Sequence, residues 1–225
     1  MDKSAVAGVA GLLSSNGFPV LNCNYRLLDN APWPACGDDA LAAARFLLEQ
    51  ELPGLPPPSE RRIATVGASA GGHLALMTGL RLPPEKVYGI VSIAGVTRLM
   101  DGPNSECSMF GTPEFLRRFF GGQAVADAET IEAAEPSQYV TLASPPLLCI
   151  HSKNDRLVPP RQAGAITATF LANDVPARLY LYDGPGTSHG LWQRDDVPVN
   201  ERRLLPGSEK ELLQFLEAQA EKGRQ

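Results

Sequence analysis

Apolar residues in this chain gather into short continuous runs, and between the runs they recur at helical spacing. Phe18 to Asn22 (FPVLN) reads as a buried strand. Asp38 to Gln50 reads as a helix, because Leu41, Ala44 and Leu48 fall on one face at +3 and +4. Arg62 to Val66 is a second predicted strand, followed by a Gly-rich turn at Gly67 to Gly72 and a helix from His73 to about Leu80. Tyr88 to Ala94 and Pro146 to His151 are the third and fourth strands, and Ala177 to Tyr182 the fifth. A helix starting near Pro160 carries Ala163, Ile166 and Phe170 on one side. The last helix opens with Ser208 and Glu211 in capping-box spacing, then buries Leu212, Phe215 and Leu216. Prolines between Leu52 and Pro58 mark a loop.

Strands alternating with helices predict an α/β fold with a mostly parallel sheet and helices on both faces. The strand runs are near-continuously apolar, as strands covered on both sides must be. The chain reads as one domain over residues 1–225, with no internal repeat and no low-complexity segment. One stretch breaks the rhythm: roughly Gly95 to Ser144 separates the third and fourth strands and holds short helical pieces such as Pro113 to Phe120. So long a connection is usually functional, and it would leave from the carboxyl edge of the sheet, where ligands bind. It is read as a cap insertion at about 95–144; a surface excursion without substrate contact is the alternative.

Composition narrows the function classes. A formal charge of -5 offers nucleic acid no electrostatic footprint. No run approaches the roughly 20 apolar residues of a membrane span, and Met1-Asp2-Lys3 does not open a secretory signal. The expected compartment is therefore cytoplasmic, and composition leaves oligomeric state open. The 4 cysteines, Cys23, Cys36, Cys107 and Cys149, are widely spaced without CxxC pairing, so buried free thiols are a better reading than a metal site or a disulfide framework.

Gly67-Ala68-Ser69-Ala70-Gly71 matches G-x-S-x-G between a predicted strand and a predicted helix. A sharp strand-to-helix turn strains the serine, and small neighbours leave room for it. The alternative is an ordinary Gly-rich turn. A phosphate-cradling loop is set aside, since neither a Gly-Lys-Ser/Thr end nor G-x-G-x-x-G spacing is present. A serine hydroxyl needs a base, and the chain has 3 histidines to supply one. His73 lies on the same helix as Ser69 and suits packing or capping. His151 ends the fourth strand, only a few residues before the expected acid. His189, in the loop after the fifth strand, is the best base, with a structural histidine as the alternative. Asp155, after the fourth strand, is the acid that would orient it. Asp183 lies too close in sequence to the histidine loop, and Asp195 and Asp196 suit a solvated face. The order nucleophile, acid, base is the one α/β-hydrolases use.

At these residues the chain resembles the esterase/lipase branch of the α/β-hydrolases, close to the hormone-sensitive-lipase-like and BD-FAE-like carboxylesterases. Asn24-Tyr25-Arg26-Leu27, Pro34-Ala35 with Asp38 or Asp39, Gly67 to Leu74, Ser144 to Leu148, Asp155 with Val158-Pro159, and His189-Gly190 carry the resemblance over nearly the whole chain. It implies hydrolysis of a small carboxylic ester through an acyl-serine, with no cofactor and no metal. Ser69, His189 and Asp155 would serve as nucleophile, base and acid, and the Ala70 N–H as an oxyanion donor. Short acyl chains are the expected substrates. Phe110, Phe115, Phe119 and Phe120, and more remotely Trp33 and Trp192, are candidates for the pocket wall, with helix packing or core burial as the alternative.

The departure is at the start, where no His-Gly-Gly-Gly-type oxyanion loop precedes the first helix. The expectation is that the sequence begins just after that loop, so that the opening strands are missing too. An arylformamidase resembling kynurenine formamidase, and a pseudo-hydrolase or fragment without turnover, are the competing functions.

Overall fold

The computed structural model describes residues 2–100, 110–122, 126–184, 189, 191–192 and 197–222. Its sheet has four strands in the order β1 (Ile63–Ala68), β2 (Val87–Ile93), β3 (Leu147–Ser152) and β4 (Ala177–Tyr182), all parallel. Seven α-helices are described around it: α1 (Ala7–Ser15), α2 (Ala35–Glu49), α3 (Ala70–Arg81), α4 (Pro113–Phe120), α5 (Ala128–Glu132), α6 (Arg161–Ala172) and α7 (Pro206–Lys222). None is long and apolar enough to cross a membrane.

Side chains alternate across the strands and so divide the core in two. Ile90, Leu147 and Cys149 face α2, α3 and α6, where Leu41, Leu48, Leu76, Ile166 and Phe170 close the layer. Val91, Ile93, Leu148 and Ile150 face the opposite way, against Val9 and Leu13 of α1 and Leu212, Phe215 and Leu216 of α7. The three positions of α6 marked by their spacing, Ala163, Ile166 and Phe170, are all buried. Each fully buried aliphatic or aromatic side chain of this kind contributes about 1.5–3 kcal/mol. Arg61, also buried, ties the proline loop down: its guanidinium donates to Gln50 O and Leu47 O at the end of α2 and to Pro56 O. A cation is favoured there, where unpaired helix carbonyls gather.

Two expectations are corrected. Phe18 to Asn22 is not a strand. Its backbone does not join the sheet, and Val20 and Leu21 are 41% and 43% exposed. The segment is tied instead to the first turn of the chain, where Asn22 Nδ2 donates to Lys3 O and Asn24 Oδ1 accepts from Lys3 N. A groove lined by Val9, Leu13, Val20, Leu21, Val66 and Ala68 separates it from β1. The capping box at Ser208 is also absent, because α7 starts two residues earlier at Pro206, a residue suited to a first helical position. Ser208 is consequently inside the first turn and fully buried. Helix α1 is an addition to the predicted elements.

The segment between β2 and β3 carries α4 and α5, and its Pro113 to Phe120 helix forms as predicted. It has its own apolar cluster: Val96, Leu99, Phe110, Leu116, Phe119, Ile131 and Ala134 pack with Val158, and with Trp33 at the margin. Its entry is clamped by Gln162, whose Oε1 accepts from Thr97 N at 2.8 Å and whose carbonyl accepts from the Thr97 hydroxyl. Glu135 Oε1 accepts from Leu99 N at 2.9 Å.

Candidate active site

All four strands are parallel, so their carboxyl ends open on one edge, and Ser69, Asp155 and His189 follow β1, β3 and β4 there. The turn after β1 is as sharp as the motif demands. Ser69 sits at φ 54°, ψ -121°, left-handed backbone that a non-glycine residue adopts only under constraint. Its N–H donates to Ile93 O at 2.8 Å, which fixes the turn against β2. A Cβ at Gly67 would lie 2.0 Å from Gly71 O, and one at Gly72 would lie 2.7 Å from Gly95 Cα. Gly71 itself has open space. The tight glycines are therefore Gly67 and Gly72, and the second of these lies one residue beyond the motif. Ala70 opens α3, so its N–H is among the donors a helix N-terminus leaves without intrahelical partners.

His189 Nε2 lies 2.8 Å from Ser69 Oγ, and its Nδ1 lies 2.8 Å from Asp155 Oδ2. The Asp155 side chain is fully buried and that of His189 is 21% exposed. Burial alone would raise the Asp155 carboxyl. Hydrogen bonds from His151, His189 and the Val158 N–H outweigh it and hold the group well below the usual carboxylate range. An ionised carboxylate only accepts, so His189 donates from Nδ1, and Nε2 is left with the lone pair that accepts from the Ser69 hydroxyl. A base thus faces a hydroxyl, and a buried anion faces the base. Such a chain can move a proton off the oxygen while an electrophile approaches it.

The other candidates lie elsewhere. His73 is buried with its Nδ1 3.2 Å from Val96 O and its ring edge-on to Trp33 and Phe119. Burial lowers its pKa to about 4, so it is a neutral packing residue. Asp183 pairs with Lys153 on the surface. Asp195, Asp196 and Cys107 lie outside the described residues, and Cys23, Cys36 and Cys149 are free thiols. The phenylalanines pack on one another, with Phe110–Phe115, Phe115–Phe119 and Phe119–Phe120 centroids 5.1, 5.6 and 4.9 Å apart. Trp33 stacks on Phe119, and Trp192 packs against the α1/α7 layer. Of the two carboxylates after Pro34, Asp39 is the one that engages the Asn-Tyr-Arg-Leu segment, in a two-pronged pair with Arg26.

His151, not the favoured base in the sequence, lies beside the acid instead. Its Nε2 lies 3.2 Å from Asp155 Oδ2, and both side chains are fully buried. The signal was present in the spacing, a histidine at the end of a strand four residues before the acid.

The model of the BD-FAE family matches residues 2–170. The chain belongs to the BD-FAE family. It is 30% identical over 205 residues to the esterase LipC of Mycobacterium tuberculosis, covering 83% of this chain and 49% of that protein. It is 38% identical over 171 residues to an ethyl acetate hydrolase of Pseudomonas putida, covering 76% of this chain and 46% of that protein. The chain thus spans about half the length of these relatives. Among solved structures, it superposes on a thermophilic esterase from Thermogutta terrifontis with a TM-score of 0.62 and 22% identity, covering 87% of this chain and 70% of that one. This BD-FAE member accordingly has the α/β-hydrolase fold.

Proposed function

We propose that this protein is a serine hydrolase of small carboxylic esters. The single observation that carries the reading is the continuous hydrogen-bonded chain from Ser69 through His189 to Asp155, held at 2.8 Å on each side of the imidazole. The names of its relatives, an esterase and an ethyl acetate hydrolase, support the ester bond as the target. Ser69 Oγ attacks the ester carbonyl while His189 Nε2 takes its proton. The tetrahedral intermediate collapses as His189 returns that proton to the leaving alkoxide, and an acyl-serine remains. Water, deprotonated by the same nitrogen, then releases the acid. Asp155 keeps His189 in the Nδ1–H tautomer and stabilises the imidazolium. The Ala70 N–H donates to the oxyanion, and the positive end of α3 adds to its stabilisation.

The described residues within about 95–144 form a small cap over this edge. The shared cluster with Val158 of the acid loop, and the Trp33 N–H donating to Phe119 O at 2.7 Å, support that placement. The cap's aromatic rings are spent on packing one another, which favours short acyl chains.

Hydrolysis of p-nitrophenyl acetate and butyrate by the purified chain tests the reading, with Ser69→Ala as the control. Expected is turnover that falls by on the order of 10⁴-fold or more in the variant. A folded wild type no faster than Ser69→Ala overturns it.

A further inference from the structure

The second imidazole on the acid has a geometry of its own. His151 is the penultimate residue of β3 and has no exposed surface. Its Nε2 lies 2.9 Å from Val158 O and 3.2 Å from Asp155 Oδ2. Carbonyl and carboxylate oxygens only accept, so Nε2 must carry a hydrogen, shared between them. The other nitrogen, Nδ1, is buried without a hydrogen-bond partner among the described residues. A proton there would be an N–H with no acceptor, which is costly, so the ring is neutral with its hydrogen on Nε2.

Asp155 is then saturated. Oδ1 accepts from Leu157 N and Val158 N, each at 2.9 Å. Oδ2 accepts from His189 and His151. Val158 closes the ring, since its N–H donates to the carboxylate and its carbonyl accepts from the imidazole that donates to the same carboxylate. Rotation of the Asp155 side chain breaks at least one of these bonds. Lys153 and Asp183, just beyond β3 and β4, pair with each other at the surface.

We propose that His151 is a positioning residue: as the neutral Nε2–H tautomer it locks the Asp155 carboxylate in the one orientation that presents Oδ2 to His189. It touches no substrate. The inference rests on the reading of Asp155 as the acid that orients the base. By donating to Oδ2, His151 also draws off part of the negative charge that His189 feels.

Three substitutions separate the donor from the space it fills. In a glutamine the amide nitrogen falls near the place of Nε2, in an asparagine near that of Nδ1, and phenylalanine has no donor. With only 3 histidines in the chain, imidazole nitrogen NMR follows each one without needing turnover. Wild-type His151 is expected as the Nε2–H tautomer. The Nδ1–H resonance of His189, which reports its bond to Asp155, is expected to move in His151→Phe and His151→Asn, and to return in His151→Gln. Turnover of p-nitrophenyl butyrate should follow, with kcat down about tenfold at unchanged KM in the first two and largely recovered in the third, the size one charge-assisted hydrogen bond supports. An Nδ1–H tautomer in the wild type overturns the proposal whether or not any variant folds. So does an unmoved His189 Nδ1–H resonance in folded His151→Phe or His151→Asn. If that resonance moves as expected while wild-type turnover does not depend on Ser69, the esterase reading falls and the positioning role stands.

Discussion

Two histidines in this molecule occupy nearly the same environment and differ in what lies beside them. His73 and His151 are both buried, each has one ring nitrogen within hydrogen-bond distance of a backbone carbonyl, and each leaves its other nitrogen without a hydrogen-bond partner among the described residues. Around His73 stand the rings of Trp33 and Phe119. Beside His151 stands a carboxylate. Burial makes the His73 ring a poor place for a charge, whereas His151 lies beside the carboxylate that His189 also meets. The difference teaches that a buried imidazole takes its role from the acceptor it meets, not from its depth.

The sharpest way to break the comparison is to disarm the carboxylate itself. Asp155→Asn keeps an acceptor for the Leu157 and Val158 N–H groups but loses the anion that fixes the His189 tautomer. It should lower kcat by about 10⁴-fold, measured as ester hydrolysis by protein shown to be folded by circular dichroism. On the aromatic side, Phe119→Ala removes a side chain packed against Trp33, His73, Phe115 and Phe120. It should cost about 3–5 kcal/mol of stability, read from urea unfolding. Water admitted beside His73 should also bring its titration back toward the ordinary value of 6.5.

Acid titration of stability separates the two pockets on one axis. His73 has its pKa lowered by burial from 6.5 to about 4, so the unfolded chain takes up this proton first. The stability tied to the neutral ring is complete above pH 6.5 and is lost, by about 3 kcal/mol, as pH falls to 4. His73→Phe should flatten that window. Asp155 acts lower: its carboxyl is held below 3.8, so its contribution is present above that pH and is lost only as pH falls beneath it. A slope between pH 6.5 and 4 that persists unchanged in His73→Phe would contradict the assignment.

What the sequence made legible follows from how local each signal is. The four sheet strands and the buried face of α6 were readable because apolar runs and the +3/+4 spacing report burial directly. Ser69 was readable because Gly67 and the small residues around it answer to a single turn. Gly72 was readable as one of the small residues that leave room for the serine, but not the contact that requires it, since the clash it avoids is with Gly95, across the turn at the end of β2. Phe18 to Asn22 has the composition of a strand, but a strand needs a partner edge, and periodicity says nothing about whether one is there. The place of His151 beside the acid is hidden for a similar reason. Its distance from Asp155 depends on how the loop after β3 folds back through Val158, and no residue type announces that. The Trp33–His73–Phe119 cluster joins three separate segments and had no pattern to betray it.

The central claim is that Ser69 Oγ is a nucleophile activated by His189. A fluorophosphonate tests it without reference to any substrate, since attack displaces fluoride and leaves a stable phosphonyl group on the oxygen. Mass spectrometry of the labelled chain should find one adduct, on the peptide containing Ser69, absent in Ser69→Ala and formed far more slowly in His189→Ala. A folded wild type that gains no adduct, or one whose adduct persists in Ser69→Ala, would contradict the account.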